Sequence, residues 1–177
     1  MGDKESTGNK ELVVVFAARR FAKLHHDSQL YGKRPYSYHL EQVVTLVGKY
    51  GFRAMVIGYL HDVVEDTPVE VVEIEDHFGP LVANCVALLT DEPGETRKIK
   101  KGRTYAKLAK VPQGAPEELA LTVKACDRLA NVRCCVKDLP RSQNKLEVYR
   151  SEQELFRASA YRPGLCDEVW QELEELL

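Results

Sequence analysis

Apolar residues recur at spacings of three and four along nearly the whole chain, and no stretch alternates with the period of two that a strand requires. That pattern restricts the chain to an all-α fold. Residues 12–27 form a first expected helix, with Val13, Phe16, Ala17, Arg20, Phe21 and Leu24 along one stripe. Residues 32–35 break it. A second helix is expected over 36–50, with Leu40, Val43, Val44 and Val47 inward, and a third over 52–66, which is the most apolar and therefore central. Thr67-Pro68 should end that helix and cap the next, over 69–77, because Thr before Pro suits a helix start. Further helices are expected over 81–89, 96–110, 117–137, 143–159 and 164–177. The expected architecture is a single bundle of roughly eight to ten helices spanning 11–177, behind a flexible tail over 1–10.

The bulk properties agree. A chain of 177 residues suits one good core. Its net charge of −2 gives no reason to expect nucleic acid or an anionic membrane as partner. No apolar run approaches the roughly 20 residues that span a bilayer. The first ten residues lack the apolar core of a secretion signal. Five cysteines, an odd number without a C-x-x-C pair, read as reduced thiols of a cytoplasmic protein. Oligomerisation stays open, since Val169, Trp170, Leu173, Leu176 and Leu177 can pack inward or face a partner.

Chemistry concentrates in His61-Asp62-Val63-Val64-Glu65-Asp66-Thr67. On one helix His61 would lie over Glu65 and Asp62 over Asp66. So many polar groups beside Ile57, Tyr59 and Leu60 are costly unless a cation compensates them. His39, early in the second helix, and Asp127, in the long helix over 117–137, extend the set. Two imidazoles and two carboxylates from three helices suit one first-row divalent ion such as Mn²⁺, Fe²⁺ or Zn²⁺. Each residue alone has a plainer reading: a satisfied buried histidine, a solvated helix end, or an aspartate paired with Lys124 or Arg128. The cationic run from Arg97 to Arg103 is either a solvated face or a phosphate grip.

The residues that set these alternatives apart are Phe21-Ala22 with His26 and Gln29, Pro35-Tyr36-x-x-His39-Leu40, Leu60-His61-Asp62-Val63-Val64-Glu65-Asp66-Thr67, His77-Phe78-Gly79, Leu89-Thr90-Asp91 and Val123-Lys124-x-x-Asp127-Arg128-Leu129-x-Asn131-x-Arg133. On them the chain resembles the HD-domain phosphohydrolases. More narrowly, it is similar to the (p)ppGpp hydrolase domain of RelA/SpoT-type alarmone enzymes and the stand-alone small alarmone hydrolases.

The resemblance implies Mn²⁺-dependent removal of the 3′-pyrophosphate of guanosine tetra- or pentaphosphate, as in the stringent response. It implies His39, His61, Asp62 and Asp127 as metal ligands and Glu65 and Asp66 as the groups that hold and deprotonate the attacking water. Asn131 would bind nucleotide, as would Lys124 and Arg97 or Lys101. His26 would buttress the pocket, and His77 would be structural. Relatives carry an Arg-Lys-Ser-like run before Gly-x-Pro-Tyr, whereas this chain has Leu30 and Tyr31 there, with Lys33 and Arg34 following. Tyr31 offers a face for a base to stack on, and Lys33 and Arg34 can swing in. Cys134 stands where relatives often have threonine. The substrate thus stays open among (p)ppGpp, an adenosine analogue and another ribose-phosphorylated nucleotide such as NADPH. A regulator with a vestigial site and an enzymatic antitoxin are further readings.

Overall fold

The computed structural model describes residues 2–177, and side-chain surroundings from residue 8 onward. Helix α1 (Gly2–His26) is continuous, so residues 2–10 of the expected tail extend a helix, and residue 1 lies outside the described residues. Lys4, Glu5, Lys10 and Glu11 are good helix formers, and propagation from a packed helix is far easier than nucleation. The inward face of α1 is Val15, Ala18, Ala22 and His26, not the expected stripe: Val13, Phe16 and Leu24 are 62–70% exposed and only Phe21 is partly covered. Small alanines let α1 lie close on its neighbours, and the bulkier residues are turned outward.

The break at 32–35 is a hairpin. Strand β1 (Leu30–Tyr31) pairs antiparallel with β2 (Arg34–Pro35). Gly32, at φ +64°, takes the first turn position, where residues with a Cβ are strained. Strands of two residues are too short to display a period. Then come α2 (Ser37–Val47), a 3₁₀ turn over Gly48–Tyr50, α3 (Phe52–Leu60) and the single turn α4 (Val63–Asp66). Helices α5 (Val71–Phe78) and α6 (Pro80–Leu89) pack against each other on either side of Gly79. The expected Thr67-Pro68 cap is not used. Glu70 caps α5 in a capping box, its N–H donating to Glu73 Oε1 at 3.0 Å, while Thr67 Oγ1 donates back to Val63 O. Helices α7 (Arg97–Leu108), α8 (Glu118–Lys137), α9 (Gln143–Ala160) and α10 (Asp167–Leu176) complete an all-α bundle.

The core centres on α3 and α8. Helix α2 packs on both, α1 covers α3, and α9 and α10 cover α8. Val169, Trp170 and Leu173 of α10 are buried, which selects the inward reading of the last helix. Among the described residues no helix is long and apolar enough to cross a membrane. Four cysteines are buried, Cys134 is half-buried, and all five are free thiols.

Gly58 sets the closest approach of α2 to α3. A Cβ there would lie 3.1 Å from Val47 Cγ2 and 3.3 Å from Val44 Cγ2. Gly58→Val is therefore expected to destabilise the fold by about 1–3 kcal/mol, the usual range for overpacking, read from urea unfolding. An unchanged midpoint would show that the helices can part freely.

Candidate metal centre and its cavity

The helix expected over 52–66 is interrupted inside its most polar stretch. Helix α3 ends at Leu60, Asp62 sits at φ −106° and ψ −2°, and α4 restarts at Val63. The single regular helix expected through His61 and Asp66 is thus broken, although the Asp66 N–H still donates to the Asp62 carbonyl at 2.9 Å across one helical turn. His61 Nδ1 lies 2.8 Å from the Gly58 carbonyl, so the side chain folds back on its own helix. The break lets His61 turn into the interior while Asp62, Glu65 and Asp66 face one cavity.

Three elements then bring their donors together. His39 comes from α2, Asp127 from α8, and the His61-Asp62 pair from the break. His39 Nε2 lies 3.2 Å from Asp127 Oδ1 and 3.7 Å from Asp62 Oδ2. His61 Nε2 lies 2.9 Å from Asp62 Oδ2 and 3.7 Å from Asp127 Oδ1. Ligand atoms of His39, His61 and Asp127 all fall within 4.8 Å of one another. Asp62 stands beside that triad, its Oδ2 also accepting from the Tyr36 hydroxyl at 2.5 Å.

This donor set fits a cation. A carbonyl only accepts, so the Nδ1 of His61 that faces Gly58 carries the proton. In the neutral ring Nε2 is then a lone pair, buried without a hydrogen-bond partner and facing two carboxylates. Lone pairs converging in this way repel unless a positive charge sits among them, and a backbone carbonyl on the far ring nitrogen is the usual orienting contact for a metal-ligating histidine. The carboxylates' demand for positive charge shows in the titration as well: burial lowers the His61 imidazole, but Asp62 and Asp127 outweigh it and push it up to about 10, favouring a proton at the position a metal ion would otherwise take. Burial likewise raises Asp62 and Asp127, yet the facing histidines hold both well below the usual carboxylate range, helped at Asp127 by Lys124.

A cavity of about 260 Å³ opens over the cluster, lined among others by Glu65, Asp66, Arg97, Lys101, Lys124, Arg128 and Asn131. Glu65 Oε2 accepts the Asp91 N–H at 2.9 Å. Burial raises its carboxyl above the ordinary value, opposed by Lys124 and reinforced by Asp91 and Asp62. Asp66 accepts from Gln29 Nε2 at 2.8 Å, and Gln29 Oε1 accepts from His26 Nδ1 at 2.7 Å. His26 also stacks on Tyr36 at 4.4 Å. Lys124 is buried, 3.6 Å from Asp127 and donating to the Leu89 carbonyl. Lys101 is paired with Asp91 at 2.8 Å and Arg97 with Glu152.

The hairpin supplies Tyr31, whose ring stacks on His39 at 4.8 Å and 14°, and whose hydroxyl donates to Asn131 Oδ1 at 2.8 Å. Asn131 Nδ2 donates in turn to Asp127 Oδ1 at 2.7 Å. Tyr31 also borders a second cavity of about 770 Å³, into which Lys33, Arg34, Arg133, Cys134, Arg141 and Lys145 face. Lys33 and Arg34 thus line this larger space, not the metal-side cavity, and Arg34 rests on the Tyr38 ring at 4.1 Å.

Tyr36, Gln29, Arg128, Tyr149 and Lys145 also border or brace the site. Tyr36 and Arg128 flank site residues in the quoted motifs, but nothing in sequence tells a flanking packing residue from a cavity wall. Glu152, 25 residues beyond Asp127, gives no local signal at all.

No family model matches the chain. It is 32% identical over 130 residues to a guanosine-3′,5′-bis(diphosphate) 3′-pyrophosphohydrolase of Spiroplasma citri, covering 71% of this chain and 17% of that protein. It is 29% identical over 165 residues to the protein of the same name from Aquifex aeolicus, covering 90% and 22%. The chain thus spans about a fifth of the length of these curated relatives. Among solved structures, a metazoan ortholog of SpoT superposes with a TM-score of 0.70 at 23% identity, over 93% of this chain and 97% of the other. A Listeria monocytogenes protein gives 0.62 at 21% identity, over 80% and 97%. Sequence likeness and fold together group the chain with the HD-type hydrolase domains of the RelA/SpoT kind.

Proposed function

We propose that the chain hydrolyses the 3′-pyrophosphate of (p)ppGpp or a close alarmone analogue, giving GDP or GTP (or the adenosine equivalent) and pyrophosphate, with one Mn²⁺. The observation that carries this reading is the convergence of His39, His61, Asp62 and Asp127 beneath a cavity bordered by Glu65, Asp66 and a row of cations. The reading is supported by relatives named for that activity and by the metazoan SpoT ortholog, which hydrolyses ppGpp.

A bound divalent cation supplies Lewis acidity, making water more acidic and offsetting charge on phosphoryl oxygens. The chain does the rest. Glu65 has one oxygen engaged by the Asp91 N–H, and its other oxygen is left to take a proton from the attacking water. Burial raises its carboxyl, which makes it a better base. Asp66, steadied by Gln29, orients that water. Lys124, Lys101 and Arg97 offset phosphate charge, and Asn131, held by Tyr31, faces the nucleotide. Tyr31 also borders the larger cavity, where Lys33 and Arg34 meet the nucleotide's remaining phosphates.

A second reading, a phosphatase on a ribose-phosphorylated nucleotide such as NADPH, is favoured by the larger cavity, whose 770 Å³ has room for more than one nucleoside. Incubation with Mn²⁺ and a nucleotide panel, scoring pyrophosphate against phosphate, separates the two. Glu65→Gln is expected to slow turnover by about 10²–10⁴ with Mn²⁺ still bound. Wild-type turnover in that variant would remove Glu65 from the chemistry.

A further inference from the structure

Arg128 follows Asp127 on α8 and is only 6% exposed. Its guanidinium lies over the rings of Tyr149 and Phe156, 4.7 and 4.6 Å from their centres. Nη2 donates to the Tyr105 hydroxyl and, at 3.0 Å, to Glu152 Oε2. Nη1 is buried with no partner. Such an orphan on a charged group calls for an explanation, because a desolvated donor left unpaired is costly.

Bracing α8 against α9 accounts for Nη2 and the ring contacts, but not for Nη1. The surroundings do. Arg128 lines the metal-side cavity next to Arg97, and Arg97 donates two bonds, at 2.8 and 3.1 Å, to the same Glu152. One carboxylate therefore serves two guanidinium groups on the cavity wall, and positive charge remains in excess there. A guanidinium fork matches phosphate oxygens in geometry and charge.

We infer that Arg128 and Arg97 form a subsite for the distal phosphate of a departing pyrophosphate, and that Glu152 is its internal counter-anion, holding both arginines until phosphate takes them over. The inference rests on the proposed phosphohydrolase reading and deepens it, because it specifies a diphosphate leaving group over a single phosphate.

The test is calorimetric binding of inorganic pyrophosphate and of orthophosphate to the metal-stripped full chain. Wild type should prefer pyrophosphate. Arg128→Gln should weaken pyrophosphate binding by about ten- to a hundredfold, the scale of a hydrogen bond to a charged group. Glu152→Gln, which keeps the shape and removes the competing charge, should strengthen it by roughly tenfold. A role confined to bracing gives no such opposite signs: both variants would lower the thermal midpoint and neither would tighten pyrophosphate. The inference is overturned if wild type shows no preference, if Arg128→Gln binds pyrophosphate as wild type does, or if Glu152→Gln fails to bind it more tightly. Where Arg128→Gln does not fold, Glu152→Gln decides alone. If the nucleotide panel is still hydrolysed when these shifts are absent, this inference alone fails; if Glu65→Gln keeps full turnover, the reading of the site fails first.

Discussion

Asp62→Ala is expected to lose both the cation and turnover. The substitution removes the oxygen 2.9 Å from His61 Nε2 and 3.7 Å from His39 Nε2. It also strips the Tyr36 hydroxyl of its acceptor, so the ring that His26 stacks against is no longer tied to the centre. Loss of an outer contact alone weakens metal affinity about 10–100-fold, and loss of a direct donor should exceed the upper figure. Calorimetric titration with Mn²⁺ and the rate of nucleotide hydrolysis should fall together by more than about a hundredfold. Asp62→Asn is the informative partner, because it keeps the volume and an acceptor for Tyr36 while removing the charge. A variant that binds Mn²⁺ like wild type and still turns over would end the four-donor reading.

The largest stability effect is expected at Phe156, far from the ligands in sequence yet structurally tied to the cavity. It is fully buried, its ring 5.5 Å from Tyr105 and 5.0 Å from Trp170, with the Arg128 guanidinium 4.6 Å from its face. It joins α7, α8, α9 and α10 at one point. Phe156→Ala should destabilise the fold by about 3–5 kcal/mol, since these four helices cannot all close on the void. Urea unfolding measures this directly. A loss below about 1 kcal/mol would mean that the helices collapse freely onto the gap.

The helical class was legible because the period of apolar residues holds through α2, α3, α6 and α8. The candidate donors stood out because such residue types are rare beside aliphatic neighbours, as His61 is beside Leu60 and Val63, but it took the family resemblance to join them into one set, since each alone had a plainer reading. The orientation of α1 was not. Alanine is as compatible with a buried face as with an exposed one, and Ala18 and Ala22 win the interior only because close packing there excludes Phe16. The break at His61-Asp62 was hidden too. No glycine or proline marks it, and the sequence within the helix does not say that a side chain will seek the Gly58 carbonyl. Likewise Glu152 enters the site's electrostatics only through the tertiary approach of α9 to α7 and α8.

Gly58 acts on two neighbours at once. Its missing Cβ lets α3 settle onto Val44 and Val47 of α2, the helix that carries His39, and its carbonyl aims the ring of His61. The bite between the two imidazoles is thus geared to the gap between two helices. A cation gripped there clamps that gap, so affinity for the ion and resistance to unfolding should rise and fall in step. At a hundred times its dissociation constant, an ion that binds only the folded chain adds about 2.7 kcal/mol. Core substitutions along the α2–α3 seam should therefore retune coordination without touching a single ligand.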